Sequence, residues 1–130
     1  MLLLDSDVVI DLLREYLPAV AWFDTLAPDE ILYLPGYVMM ELLQGCRNKT
    51  EQAHLERELA GYGIVWLTPA ECDRALRVFA DYRLSHNAGM LDVLIGQTAV
   101  MLATPLYTFN LKHYQFIPGL QTVQPYSKTF

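Results

Sequence analysis

Short apolar segments alternate with longer helix-forming segments, and this alternation constrains the fold more than any other feature of the sequence. Each apolar segment has the length of a β-strand, four to six residues, and the five segments are residues 1–4, 30–35, 63–67, 105–110 and 120–125. Short strands that alternate with helices predict a parallel sheet with helices on both faces. We therefore expect an α/β fold, a three-layer α/β/α sandwich with a short-stranded, mainly parallel central sheet.

Six segments between the strands have helical patterning. The clearest helix start has Thr68 as the capping residue, Pro69 at the first helical position and Glu71 three residues after the cap. The six segments are residues 8–16, 18–26, 37–46, 50–60, 68–83 and 90–103. Because no linker or internal repeat interrupts them, we expect residues 1–130 to form a single domain.

Composition excludes several classes of protein. Hydrophobic residues make up 53% of the chain, which argues against disorder. No apolar run approaches the roughly 18 residues that a membrane helix needs, so we expect a cytoplasmic protein without a membrane partner. The formal net charge of −6 argues against nucleic-acid binding through a basic surface. It remains compatible with an enzyme that meets phosphate groups through a bound cation.

Two acids, Asp5 and Asp7, follow directly after the first apolar strand. In parallel α/β sheets, ligands bind outside the carboxyl ends of the strands, which is where these side chains are predicted to lie. A helix N-cap is the alternative explanation, since aspartate is favoured there. One N-cap explains one of the two acids and leaves the other unexplained.

Two further acids interrupt apolar helices. Glu41 lies in the segment YVMMELLQG and Asp92 in GMLDVLIGQTA, where a buried and unpartnered carboxylate would be costly. A solvent-facing helix edge would explain Glu41, and a capping role would explain Asp92. Together with Asp5, they indicate a shared pocket that holds a cation, because Mg²⁺ takes one or two carboxylates and keeps several waters.

Four ordered blocks, LLLDSDVVIDLL, YVMMELLQG, MLDVLIGQTA and LYTFNLKHYQFIPGL, resemble the signature blocks of the PIN-domain ribonucleases. The likeness is greatest to the VapC toxins of bacterial and archaeal toxin–antitoxin pairs. It covers the chain from end to end and implies a PIN-like nuclease domain over residues 1–130. It further implies a VapB-like antitoxin partner and a homodimer, for which Tyr16, Trp22 and Tyr37 are candidate exposed contacts.

The resemblance assigns roles to individual residues. The family's three acids fall on Asp5, Glu41 and Asp92, and its fourth position, an acid or asparagine, falls on Asn110. Thr108 matches a hydroxyl residue that lines the family's site. Asp7 departs from the family, in which asparagine is frequent at this position, and is expected either to strengthen metal binding or to cap the first helix.

The implied reaction is hydrolysis of an RNA phosphodiester with Mg²⁺ or Mn²⁺. Asp5 and Asp92 would hold the ion, with Glu41 close by, either directly or through water. Arg14, Lys112 and His113 are candidates for contacts with the RNA backbone, although a packing or capping role is the simpler explanation for the histidine.

Other interpretations stay open on the sequence. The opening strand followed by D-x-D-x-V is also typical of haloacid-dehalogenase phosphatases, in which Asp5 would be the nucleophile and Asp7 the general acid. That family needs a closing acidic pair, whereas LYTFNLKHY contains no acid. A receiver domain needs an acceptor aspartate after its middle strand, where this chain has Thr68 and Pro69. A non-catalytic, RNA-binding PIN-like module is the third alternative.

Overall fold

The computed structural model describes residues 1–128, which form five β-strands and seven helices. The strands are β1 (Leu2–Leu4), β2 (Leu32–Pro35), β3 (Gly63–Val65), β4 (Leu106–Tyr107) and β5 (Thr122–Val123). The helices are α1 (Ser6–Leu13), α2 (Leu17–Asp24), α3 (Gly36–Gln44), α4 (Lys49–Glu58), α5 (Pro69–His86), α6 (Met90–Leu102) and α7 (Leu111–Tyr114). Every predicted element is present, each strand is shorter than predicted, and α7 was not predicted.

All five strands are parallel, in the order β3-β2-β1-β4-β5. The chain moves from β1 outward to β2 and β3, and then returns across the sheet to β4 and β5. Right-handed crossovers place the connections of these two halves on opposite faces of the sheet. The predicted α/β/α sandwich is therefore confirmed.

The order of the strands reverses between β1 and β4, which pair directly through Leu3 with Leu106 and Leu4 with Tyr107. Such a switch point leaves a crevice at the carboxyl ends of the two strands, and ligands of open α/β sheets bind there. Asp5 directly follows β1, and the segment 108–110 directly follows β4.

Burial of the central strand shows why the sheet needs helices on both faces. Leu3 and Leu4 are consecutive in β1, so their side chains point to opposite faces, and both are fully buried. Leu34 in β2, Leu106 in β4 and Ile95 in α6 are buried with them in the main core. Apolar side chains of the central strands therefore lie on both faces of the sheet, and helices must cover each face.

The ends of the elements differ from the predictions where polar groups intervene. Helix α1 begins at Ser6 because Asp5 is its N-cap, and the left-handed conformation of Glu15 follows its end. Helix α5 continues to His86, where Asn87 takes a left-handed conformation. Strand β4 stops at Tyr107, so the predicted strand residues 108–110 lie in a loop instead.

Three aromatic side chains are less exposed than predicted. Tyr16, Trp22 and Tyr37 are half-buried, so the expectation that they are exposed was wrong, and their role as partner contacts stays a prediction. Tyr16 and Trp22 pack against the ring of Tyr126, and Tyr37 meets Trp66 edge-on. Within residues 1–128, none of the helices has the length and apolar character that crossing a membrane requires.

Candidate active site

Asp5 is the innermost acid of the site, with a relative exposure of 2%. It leaves β1 while its backbone N–H still donates to the carbonyl of Tyr107 in β4. Its Oδ1 accepts from the backbone N–H of Ser6 at 2.8 Å. Its Oδ2 accepts from two hydroxyls, Thr108 at 2.8 Å and Tyr114 at 2.9 Å. These three hydrogen bonds offset the cost of burying a carboxylate.

Asp7 joins α1 to the loop after β4. Its Oδ1 accepts from the backbone N–H of Val8, and its Oδ2 from that of Phe109, both at 2.8 Å. Burial, followed by repulsion from Asp5, raises the pKa of Asp7 to about 6, although the two N–H groups and the charge of Lys128 act in the opposite direction. Asp7 thus connects α1 to the loop after β4, and the nearby donors and Lys128 compensate its negative charge only in part.

Glu41 is half-buried on α3, the helix that follows β2. Burial raises its pKa, and repulsion from Asp5 and then Asp92 raises it further, while a hydrogen bond with Ser6 lowers it. A solvent-facing edge does not explain a carboxylate with these neighbours, because its charge is felt by acids on two other elements.

Asp92 is half-buried in the first turn of α6, and Gly89 occupies the N-cap position of that helix. Burial raises the pKa of Asp92, His113 lowers it, and the charge of Asp5 raises it again. The imidazole Nδ1 of His113 lies 3.5 Å from Asp92 Oδ2. Helix α6 packs against α3, which brings Asp92 to the same end of the sheet as Glu41.

We call Asp5, Asp7, Glu41 and Asp92 the acidic cluster. Mutual repulsion contributes to the raised pKa values of three of its members. Among residues 1–128, no group of three or more His, Cys, Asp or Glu side chains is arranged to hold a metal ion unaided. Mg²⁺ requires only one or two carboxylates and keeps several waters, and the cluster offers hard oxygen donors with uncompensated charge. These residues therefore fit a divalent cation of the magnesium class.

The remaining predicted residues differ in burial and in their partners. The hydroxyl of Thr108 is fully buried and accepts from the backbone N–H of Asn110 at 3.1 Å. The asparagine is exposed, and its side chain does not cap α7. Arg14 is exposed and lines, with Glu41, a groove of about 350 Å³. Lys112 is exposed on α7.

Tyr114 is the site residue that the sequence analysis missed. It is 2% exposed, and its hydroxyl donates to Asp5 across 109 positions of sequence. Burial and the nearby charge of Asp5 raise its pKa far above the usual range, so the hydroxyl remains a donor. In the sequence, Tyr114 lies between His113 and Gln115, and no local pattern indicates that its hydroxyl has a partner at Asp5.

A second groove lies away from the acids. It has a volume of about 190 Å³ between α5 and α6, and its walls include Cys72, Phe79 and Met90. None of the acidic cluster lines it, so its chemistry is that of an apolar surface and not of a cation site.

The raised pKa of Asp7 predicts a specific pH dependence of stability. Its folded value near 6 exceeds the ordinary value of 3.8, so the folded state holds more protons between these limits. This contribution to stability is complete below about pH 4 and is lost as the pH rises through 6. From pH 7 to pH 5, the free energy of unfolding should rise by on the order of 1 kcal/mol more in wild type than in Asp7→Asn.

Urea denaturation at the two pH values measures this difference. Asp24→Asn, at an exposed position outside the cluster, serves as the control for the loss of one carboxylate. Equal pH dependence in wild type and Asp7→Asn would contradict the account of Asp7.

The chain resembles known proteins along most of its length. The PIN-domain family model matches residues 2–116. The chain is 33% identical to ribonuclease VapC10 of Mycobacterium tuberculosis over 122 residues, which cover 93% of this chain and 91% of that protein. It is 32% identical to ribonuclease VapC19 of the same organism over 125 residues, which cover 93% and 98%.

Solved structures share the fold. A toxin–antitoxin complex from Klebsiella pneumoniae aligns with a TM-score of 0.74 and 22% identity, covering 98% of this chain and all of that chain. VapBC-1 from nontypeable Haemophilus influenzae aligns with a TM-score of 0.75 and 22% identity, covering 95% and 96%. With a family model that spans most of its length and two relatives above 30% identity, this chain belongs to the PIN-domain family.

Proposed function

We propose that this chain is a metal-dependent endoribonuclease that hydrolyses RNA phosphodiester bonds and acts as the toxin of a VapBC-type pair. The observation that carries the proposal is the acidic cluster, which gathers acids from α1, α3, α6 and the end of β1 at the switch point of the sheet. The relatives named as ribonucleases support the substrate class.

Asp5 and Asp92 are the proposed ligands of Mg²⁺ or Mn²⁺, with Glu41 bound directly or through water. The ion, when bound, polarises a phosphate oxygen and lowers the pKa of water. Asp5 supplies a fixed oxygen because its carboxylate is buried and held by three hydrogen bonds. The cluster would let a chain of net charge −6 meet a polyanion, since its acids would bind the cation and the cation would bind the phosphate.

Residues at the rim of the cluster have proposed roles toward RNA. His113 is exposed beside Asp92 and is a proposed contact for the RNA backbone. Arg14 lies on the groove that Glu41 and Glu51 also line, and it is the proposed contact for the RNA backbone there. Asn110 precedes α7 and Lys112 lies in it, and both residues are exposed. Lys112 would offer the RNA a positive charge, and Asn110 would offer it an amide.

Removal of a cluster carboxylate is expected to abolish RNA cleavage. Asp5→Asn, Glu41→Gln and Asp92→Asn should each slow cleavage of a single-stranded RNA by about a hundredfold or more, because each removes charge that stabilises the transition state. Excess EDTA should have a similar effect on wild type. The measurement is the initial cleavage rate in Mg²⁺ or Mn²⁺, after circular dichroism has shown that each variant is folded.

Glu58→Gln is the matched control, since it makes the same chemical change at an exposed position on α4. It should cleave at the wild-type rate. Full activity in EDTA, or in a folded Glu41→Gln protein, would overturn the proposal. Hydrolysis of para-nitrophenyl phosphate without RNA cleavage would favour the phosphatase, and RNA binding without cleavage would favour the binding module.

The proposal extends to assembly. One structural neighbour is described as a toxin–antitoxin complex and another as VapBC-1, which supports a VapB-like antitoxin as the partner. We further propose a single domain over residues 1–130, a homodimer and a cytoplasmic location. The strands of one sheet extend from Leu2 to Val123, which supports the single domain.

Co-expression with its neighbouring gene is expected to yield a heteromeric complex. The tagged chain should co-purify with a small second protein, and light scattering should give a mass that contains at least two copies of the toxin. A chain that purifies alone as an active monomer from its native operon would contradict the proposed assembly.

A further inference from the structure

The two oxygens of the Asp5 carboxylate have unequal hydrogen bonding. A carboxylate offers about four lone-pair sites, two on each oxygen. Oδ2 accepts from the hydroxyls of Thr108 and Tyr114, so both of its sites are occupied. Oδ1 accepts from the backbone N–H of Ser6, which leaves one site available. Oδ1 is therefore the oxygen that can bind a cation without losing a hydrogen bond.

Tyr114 is fixed by packing as well as by its hydroxyl. Its ring lies against Gly96 of α6, where an added Cβ would be 3.6 Å from Tyr114 Cδ1. Gly96 is one helical turn beyond Asp92, on the same side of α6. The tyrosine therefore extends from the helix that carries Asp92 to the strand end that carries Asp5.

The terminal torsion of an aspartate is soft, so packing alone does not fix which oxygen faces a ligand. Two buried hydroxyl donors on the same oxygen do fix it. Phenylalanine would fill nearly the same volume as Tyr114 but would leave Oδ2 with one donor. The hydroxyl and not the ring is thus the part of Tyr114 that distinguishes the two oxygens.

We propose that Tyr114 is a positioning residue of the acidic cluster, and that its hydroxyl orients Asp5 so that Oδ1 is presented to the divalent cation. This inference rests on the proposed metal-dependent function. It assigns to a residue of α7 the task of setting the geometry of a ligand that directly follows β1.

Tyr114→Phe tests the inference through Mn²⁺ binding without RNA. Loss of a group that orients a metal ligand typically weakens metal affinity by about 10–100-fold. We expect a loss of that size in the Mn²⁺ dissociation constant, measured by titration calorimetry on the full chain, with unchanged circular dichroism. A tyrosine that only stabilises the fold would lower the urea midpoint and leave the Mn²⁺ affinity of the folded protein unchanged.

Tyr126→Phe is the matched control. The hydroxyl of Tyr126 also donates to a carboxylate, Asp11 Oδ2 at 2.7 Å, outside the acidic cluster. This variant should bind Mn²⁺ as wild type does. Equal affinity in wild type and Tyr114→Phe would overturn the inference, whereas RNA cleavage by wild type would still support the proposed function. A wild-type protein that binds no Mn²⁺ would overturn both.

A second pair of variants covers the case in which Tyr114→Phe does not fold. Thr108→Val removes the other donor to the same oxygen, and Thr108→Ser keeps a hydroxyl there. The inference predicts weaker Mn²⁺ binding in Thr108→Val and near-normal binding in Thr108→Ser. Unchanged affinity in Thr108→Val would overturn it.

Discussion

The hydrogen bonds that Thr108 and Tyr114 donate to Asp5 are the interaction on which the rest of the site depends. Strand β4 is only two residues long, so its pairing with β1 supplies few backbone hydrogen bonds at the switch point. A carboxylate that is 2% exposed would be strongly destabilising there without donors. The two hydroxyls meet this need, and they also join β1 to the loop and the short helix that follow β4.

The same arrangement concentrates negative charge that the protein does not neutralise. Glu41 and Asp92 come from helices on different parts of the chain, and both have pKa values raised first by burial and then by neighbouring acids. His113 compensates only in part, from an exposed position beside Asp92. Repulsion among these side chains reduces the stability of the folded state, and a divalent cation is the ligand whose charge and oxygen preference remove the repulsion. The proposed cation-binding function and the stability of the metal-free fold are thus opposed at this edge of the sheet.

Local sequence pattern was sufficient to predict the fold and part of the site. The alternation of strands and helices predicted the parallel sheet, and acids in apolar surroundings singled out Asp5, Glu41 and Asp92, which the structure brings together. Thr108 and Tyr114 act through contacts more than 100 positions away along the chain, and these contacts have no local signature. Asn110 was predicted in a strand, but hydrogen bonds to Thr108 and Asp7 draw the chain out of β4 before that residue.

We infer that the acids form one repulsive cluster and that a divalent cation would relieve the repulsion. The most direct test is a comparison of thermal melting of wild type and Asp92→Asn at neutral pH, in EDTA and again with saturating Mg²⁺. Without metal, the variant is expected to melt a few degrees higher, because removing a repelled charge is worth on the order of 1 kcal/mol. Mg²⁺ should then raise the melting temperature of wild type clearly and that of the variant much less, since a ligand stabilises only the state that binds it. If Asp92→Asn instead melts several degrees below wild type in EDTA, Asp92 stabilises the start of α6 and the account of a shared repulsive cluster is wrong.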